Sequence, residues 1–174
     1  MQGIGVQSYP IGWFTRSNFG GRFAAMLKYA GWDGVAVTGR ADSPVWIDIR
    51  NRKVEIRDAS GLWGKDTWES VDTIREAYGD EMIQLFVIGK ASENKVSMAQ
   101  VSENYWGSKD RFGLGAVFGE KNLKAVAMRG LGALDPSGQL ARTPRAARRL
   151  KRNPAAAVAI IRRFPAAGQK IVEV

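Results

Sequence analysis

The feature that most constrains this sequence is a polar stretch with paired glycines, residues 16–23, which reads Arg-Ser-Asn-Phe-Gly-Gly-Arg-Phe. Gly20 and Gly21 permit backbone angles that other residues avoid, and they let a ligand approach the backbone closely. A helix is predicted to follow, because apolar residues recur at i, i+3, i+4 and i+7: Phe23, Met26, Leu27, Ala30. Its first N–H groups would lack partners and could hold an anion. The alternative is a tight loop in which Ser17 or Asn18 only caps the helix.

Short strands and one hairpin are predicted beyond this helix. A strand followed by a loop is expected within residues 1–15, and an apolar run at 35–39 follows Gly31, which is placed to end the helix. Alternating segments on either side of Asn51-Arg52 predict a hairpin with a two-residue turn. Further strands are expected at 82–88, 96–101 and 123–128. The strand at 123–128 is expected to be the last of the domain.

A second helix is predicted from a capping box, in which Asp66 precedes Glu69 by three residues. Gly79 is placed to end this helix. The carboxylates are interpreted as capping or solvated groups and not as acid–base catalysts. The side chains expected on the buried face of the helix are Trp68, Val71, Ile74 and Ala77 or Tyr78.

The chain has no Cys and no His. It therefore cannot supply a thiolate ligand to an iron–sulfur cluster, a zinc site of the usual kind, a Cys nucleophile or a His base. Any redox chemistry must come from a bound cofactor. With 174 residues and 45% hydrophobic residues, the chain can build one packed domain. No apolar run approaches the length of a spanning helix, so a cytoplasmic location without membrane contact is expected.

The net charge of +9 is concentrated at the end of the chain. Residues 131–174 carry nine basic and two acidic residues, which leaves only +2 for residues 1–130. The basic segment is rich in Ala and Arg, and short helices are expected after Thr143-Pro144 and Asn153-Pro154. We therefore divide the chain into a domain at 1–130 and a basic tail, or the start of a helical region, at 131–174. Removal of residues 135–174 is expected to leave the thermal transition of the core largely in place.

Two long motifs carry a resemblance to a known family. Residues 17–39 hold an Asn-x-Gly-Gly turn, a helix and the turn Ala-Gly-Trp-Asp-Gly, and residues 113–126 read Gly-Leu-Gly-Ala-Val-Phe-Gly-Glu-Lys-Asn-Leu-Lys-Ala-Val. Between them lie Leu-Trp-Gly-Lys-Asp-Thr at 62–67 and the pair Glu93-Asn94. Together these stretches resemble the tungsten-pterin-binding N-terminal domain of the aldehyde:ferredoxin oxidoreductases, roughly over residues 3–130.

The resemblance implies an α+β fold, a β-rich domain of two packed antiparallel or mixed sheets with short helices. It implies an oxidoreductase that converts aldehydes to carboxylic acids at a tungstopterin or molybdopterin centre with Mg²⁺. In the family, electrons pass through a [4Fe-4S] cluster to ferredoxin. The Cys ligands of the cluster are absent from this chain, so we expect a fragment that is inactive by itself. A separate chain could carry the cluster domain.

The resemblance also implies a set of cofactor contacts and no catalytic residue. The backbone carbonyls of Asn18 and of Ser108 or Lys109 would coordinate the Mg²⁺ that bridges two pterin phosphates. Arg111 matches the signature arginine, whereas Phe112 stands where the family has a glycine. The expected cofactor-binding residues are Asn18, Gly20, Gly21, Ser108, Lys109, Arg111, Gly113 and Gly115.

Two other classes of function remain as alternatives, a nicotinamide site and a polyanion-binding tail. A nicotinamide site would use Gly113, Gly115 and Gly119, but their spacing departs from the dinucleotide fingerprint and no helical pattern clearly follows. A non-catalytic fragment whose basic tail binds nucleic acid or another polyanion is the alternative function, although the near-neutral core makes a nucleic-acid partner unlikely.

Overall fold

The structure, a computed structural model, describes residues 2–6, 14–108, 113–132, 158–161 and 171–173. Four short helices and eleven strands lie in these ranges. The helices are α1 (Phe23–Tyr29), α2 (Thr67–Tyr78), α3 (Lys90–Glu93) and α4 (Leu114–Glu120). The strands are β1 (Gln2–Val6), β2 (Phe14–Asn18), β3 (Gly34–Val37), β4 (Val45–Arg50), β5 (Lys53–Asp58), β6 (Gln84–Ile88), β7 (Val101–Glu103), β8 (Gly107–Ser108), β9 (Leu123–Arg129), β10 (Val158–Ile161) and β11 (Ile171–Glu173).

A mixed six-stranded sheet forms the centre of the described part of the chain. Its order is β5-β4-β9-β6-β7-β8, and the pair β4–β9 is parallel whereas the other pairs are antiparallel. Strands β1 and β2 form a separate antiparallel pair, and β3 belongs to a small sheet of order β11-β10-β3. This arrangement confirms the expected α+β class with short helices.

The central sheet is covered by helices on both faces. Helices α1 and α4 pack on one face, where Phe86 and Ile88 of β6 point, and α2 packs on the other, where Leu85 and Val87 point. Because neighbouring residues of a strand point to opposite faces, two buried faces require an unbroken apolar run. Strand β6 is buried at all its positions: Leu85 to Ile88 form the apolar run, and Gln84 precedes it at the start of the strand.

The predicted β4–β5 hairpin is confirmed. Arg50 pairs with Lys53 across a turn made by Asn51 and Arg52, and Asn51 takes the positive φ of 51° that such a turn requires. Ile47 and Ile49 share one face of β4, and both lie in the core cluster that includes α1.

Helix α2 confirms the capping box and its end. The Asp66 carboxylate accepts a hydrogen bond from Glu69 N, the Glu69 carboxylate accepts one from Asp66 N, and Gly79 closes the helix in the left-handed conformation. The prediction for Trp68 is wrong. Its side chain is 45% exposed and contacts two other aromatic rings outside the core, Tyr105 in a tilted and Trp106 in an edge-to-face arrangement.

Two further expectations are corrected. Strand β7 begins only at Val101, since the chain turns before it and leaves Met98 73% exposed. Helix α4 lies where no helical pattern was recognised, because two of its seven positions are glycine. It connects β8 and β9, which are not neighbours in the sheet, so the described residues contain no βαβ unit for a nicotinamide site here.

Two strands lie within the basic segment that follows residue 131. Strand β10 pairs antiparallel with β3, so that Val158 lies opposite Val37, and β11 pairs with β10. Strand β9 is therefore not the last strand, and the helix expected after Asn153-Pro154 is wrong for residues 158–161. The helix expected after Thr143-Pro144 lies outside the described residues.

Candidate functional site

The first predicted stretch lies between β2 and α1. Asn18 ends β2, where it pairs with Gln2, and both Gly20 and Gly21 are exposed. Gly21 has a φ of +68°, a backbone conformation that residues with a side chain rarely adopt. The residue that precedes α1 is Arg22, whose side chain makes no capping hydrogen bond. Neither Ser17 nor Asn18 is therefore the cap of this helix.

A buried carboxylate lies against the start of α1. Glu103 of β7 is only 4% exposed, and its Oε1 accepts a hydrogen bond of 2.9 Å from Phe23 N. A Cβ on Gly21 would overlap the carboxylate of Glu103. One N–H group at this helix start thus has a partner from within the chain. This contact could not be predicted from a local pattern, because Glu103 lies 80 residues from Phe23.

The second predicted stretch begins in the β7–β8 hairpin. Glu103 lies opposite Gly107, and a Cβ on Gly107 would lie 2.8 Å from the Glu103 Cβ. Ser108 pairs with Ser102 at the end of β8. Lys109 and Arg111, which the sequence analysis placed in the cofactor site, lie outside the described residues, as does Phe112.

Asn104 fixes the turn of this hairpin to β6. Its backbone has a φ of 50°, and its side-chain Oδ1 accepts a hydrogen bond of 3.0 Å from Leu85 N. Its Nδ2 donates to Gln84 Oε1 at 2.9 Å, and Arg75 donates to Oδ1 at 3.2 Å. These contacts set the position of the hairpin relative to the central sheet. They were not predicted, because Asn104 looks like an ordinary turn residue in the sequence.

The remaining predicted glycines belong to α4. Gly113 precedes the helix in the left-handed conformation, with a φ of 76°. Gly115 packs closely on the chain: its Cβ would overlap Ser92 Oγ and would lie 2.6 Å from the carbonyl oxygen of Gln100. Gly119 packs against the carbonyl of Ser92 in the same way. The face of α4 that carries these two glycines is therefore turned towards α3 and residues 99–100.

Helix α4 also contacts β1 and β2. The second motif thus lies beside the strand that leads into the first motif, and Glu103 joins the turn at Gly21 to the β7–β8 hairpin. The structure therefore brings together Asn18, Gly20 and Gly21 with the hairpin that ends at Ser108 and with the helix that Gly113 begins.

A buried ion pair connects the second long motif to the stretch at 62–67 and to the pair Glu93-Asn94. Lys124 is fully buried, and its Nζ donates to Glu93 and, at 2.8 Å, to the carbonyl oxygen of Lys65. The second carboxylate oxygen of Glu93 accepts from Gly64 N at 2.9 Å. Burial lowers the pKa of Lys124, and the carboxylate of Glu93 opposes that shift. The charged residues of these motifs are thus structural, which the sequence analysis did not predict.

Another buried carboxylate, that of Asp48, lies on β4, away from the predicted site residues in sequence. Asp48 accepts a hydrogen bond of 2.7 Å from the hydroxyl of Tyr78 and lies 3.1 Å from the guanidinium of Arg57. Burial and this hydrogen bond raise the pKa of Tyr78 to about 12. The hydrogen bond from Tyr78 to Asp48 ties the end of α2 to β4.

Within the described ranges, no three carboxylate, His or Cys side chains come together in a way that could hold a metal ion. The available groups at the site are instead backbone carbonyls and N–H groups around glycines. This donor set suits a cofactor that brings its own metal ligands and needs the protein to bind its polar edges and phosphates. Among the residues that the structure describes, no helix is long and apolar enough to cross a membrane.

Comparison with known proteins gives relatives of high sequence identity. The chain is 49% identical over 125 residues to the tungsten-containing aldehyde ferredoxin oxidoreductase of Pyrococcus horikoshii, and 45% identical over 126 residues to that of Pyrococcus furiosus. Each match covers 72% of this chain and 21% of the relative. The chain thus spans about a fifth of the length of these relatives. A P. furiosus protein named aliphatic sulfonate oxidoreductase, WOR-like subunit, is 38% identical over 120 residues, which cover 62% of this chain and 19% of that protein.

A solved structure has a similar fold. It is the active site complex BamBC of benzoyl coenzyme A reductase in complex with 1,5-dienoyl-CoA, and it matches with a TM-score of 0.64 at 40% identity. The match covers 70% of this chain and 18% of that one. Residues 3–130 match the family model of the aldehyde ferredoxin oxidoreductase N-terminal domain. This chain therefore belongs to the aldehyde ferredoxin oxidoreductase family, of which it carries the N-terminal domain.

Proposed function

We propose that this chain provides the tungsten-pterin-binding portion of an oxidoreductase that converts aldehydes to carboxylic acids and passes the electrons to ferredoxin. The observation that carries the proposal is the convergence of the two long motifs. Helix α4 of the second motif contacts β2, which leads into the first motif. Phe23 N of the first motif also donates to Glu103, in the hairpin that precedes the second motif in sequence. A cofactor that spans both motifs needs this arrangement, in which the glycine turn and the β7–β8 hairpin lie side by side.

The residues would hold the cofactor mainly through their backbones. The carbonyl of Asn18 and that of Ser108 or Lys109 would coordinate Mg²⁺, which takes oxygen ligands and accepts phosphate oxygens beside them. Gly20 and Gly21 would let the cofactor approach the exposed turn, and Arg111 would pair with a phosphate. Gly113 and Gly115 complete the proposed site as the start of α4, whose close packing on Ser92 keeps this helix in place.

The bound tungsten, or molybdenum, centre would supply the two-electron oxidation of the substrate. The chain has no Cys and no His, so the ligands of a [4Fe-4S] cluster would come from another part of the parent enzyme or from a separate chain. We therefore expect the chain alone to bind the cofactor without oxidising aldehydes. A cytoplasmic location and ferredoxin as electron acceptor belong to the same proposal.

The test is elemental analysis of the chain purified from a host that makes tungsten and molybdenum pterins. We expect tungsten or molybdenum together with phosphorus and Mg²⁺, close to one cofactor per chain. Gly20→Leu adds a side chain to the exposed turn and should abolish this content. Gly61→Leu is the matched control, because a Cβ on Gly61 meets no atom within 4 Å. A folded wild-type chain without metal or phosphorus would refute the proposed function.

A further inference from the structure

The buried carboxylate of Glu103 contacts both Phe23 N and the turn at Gly21. It lies where the two halves of the proposed site meet, and it is 4% exposed. A buried carboxylate is costly unless hydrogen bonds satisfy it, so Glu103 needs a hydrogen-bond partner at this place. Phe23 N is such a partner, at 2.9 Å from Oε1.

The contact with Gly21 is the second observation. A side chain at position 21 would overlap the Glu103 carboxylate, and the φ of +68° independently disfavours any residue but glycine. The turn of the first motif is therefore shaped around Glu103. Its path from Asn18 to Phe23 is fixed at its far end by the hydrogen bond to the carboxylate.

The backbone of Glu103 is fixed just as firmly. Glu103 pairs with Phe86 of β6 and with Gly107 of β8, whose α-carbon packs on its Cβ. The following residue, Asn104, is tied to β6 through both its backbone and its side chain. Glu103 is thus a rigid support, anchored in the central sheet, that reaches across to the exposed glycine turn.

We propose that Glu103 is a positioning residue that holds the Asn18–Gly21 turn against the β7–β8 hairpin. It thereby sets the distance between the carbonyl of Asn18 and the carbonyls at the end of β8, which the proposed function assigns to one Mg²⁺. This inference rests on the proposed function, since it specifies how that cofactor site is preorganised. Octahedral Mg²⁺ tolerates little variation in ligand distance, so loss of the support should weaken cofactor retention.

The first measurement uses the chain without cofactor, by hydrogen exchange of the segment 17–29. Glu103→Ala should speed exchange at Phe23 N by about tenfold or more, because a hydrogen bond to a charged group is lost. Glu103→Gln keeps an acceptor oxygen and should stay within about threefold of the wild type, a smaller loss expected for a neutral acceptor. Asp66→Ala is the matched control: it removes a carboxylate that also accepts from a helix-start N–H, that of Glu69, and should leave segment 17–29 unchanged.

The second measurement is the tungsten, molybdenum and phosphorus content of the same variants from the pterin-producing host. Glu103→Ala should lose the cofactor, whereas Glu103→Gln and Asp66→Ala should retain it. If Glu103→Ala does not fold, Glu103→Asp replaces it, because the shorter side chain withdraws the carboxylate from Phe23 N but keeps the charge.

Unchanged exchange in Glu103→Ala, or full cofactor content in that variant, would overturn the role of Glu103. Loss of cofactor in Glu103→Gln with normal exchange would also overturn it, since charge and not position would then matter. A wild-type chain that carries no cofactor refutes the proposed function instead, and in that case the exchange rates alone decide whether Glu103 holds the turn.

Discussion

At the scale of single residues, the contacts that organise this domain are polar and join distant parts of the chain. Lys124 and Glu93 form a buried ion pair, and the same two side chains bind the backbone of Lys65 and Gly64. The desolvation cost of burying two charges is offset only when the pair has good geometry and additional hydrogen bonds satisfy the remaining polar atoms. Both conditions are met here, so the pair fixes how the loop before α2 meets α3 and β9.

Breaking this pair from one side should be strongly destabilising. Lys124→Met leaves the Glu93 carboxylate buried without its cation, and we expect the free energy of unfolding to fall by about 3–5 kcal/mol. The double variant Lys124→Met, Glu93→Gln removes both charges and keeps an acceptor for Gly64 N, so it should recover most of the loss. Denaturant unfolding of the two variants and the wild type measures both effects. A double variant as unstable as Lys124→Met would show that packing, and not the uncompensated charge, causes the loss.

At the scale of secondary-structure elements, what could be predicted was local. The capping box of Asp66 and Glu69 and the hairpin turn at Asn51 depend on residues within a few positions of one another, and both are confirmed. The contacts of Glu103 and Lys124 could not be predicted, because they join residues 80 and 31 positions from their partners. Helix α4 was not predicted because glycine has a low helix propensity. Its two glycines instead permit close packing on α3.

The close packing of α4 on α3 leads to a prediction about Gly119. A methyl group at this position would overlap the carbonyl of Ser92, so the backbones of the two helices must separate. Gly119→Ala should therefore lower the free energy of unfolding by about 1–3 kcal/mol, the usual range for overpacking. Gly61→Ala is the control, since a Cβ there meets nothing within 4 Å, and it should leave stability unchanged or slightly higher. Equal thermal transitions in both variants would contradict the packing that we describe.

At the scale of the whole molecule, the described part of the chain is built around one mixed six-stranded sheet. Helices cover both faces of this central sheet. Two of the connections between elements are exposed. The glycine turn at 20–21 is exposed, and Trp106 in the β7–β8 hairpin is 81% exposed. The family match ends at residue 130, whereas β10 and β11 lie beyond it and still pair with β3. The basic segment is therefore joined to the domain through a sheet edge.

This pairing adds a local effect to the expectation for a chain that lacks residues 135–174. Val35 and Val37 of β3 pack against the core beneath α1, whereas β3 has β10 as its neighbour in the sheet. Removal of β10 should therefore free the hydrogen-bonding edge of β3 without opening the central sheet, whose six strands all precede residue 130. We expect the thermal transition of the truncated chain to persist, while hydrogen exchange in residues 34–37 rises by about tenfold or more, as for a strand that loses its partner. Loss of the cooperative transition would show instead that the small sheet is part of the core, and unchanged exchange in β3 would show that the pairing with β10 does not contribute to its protection.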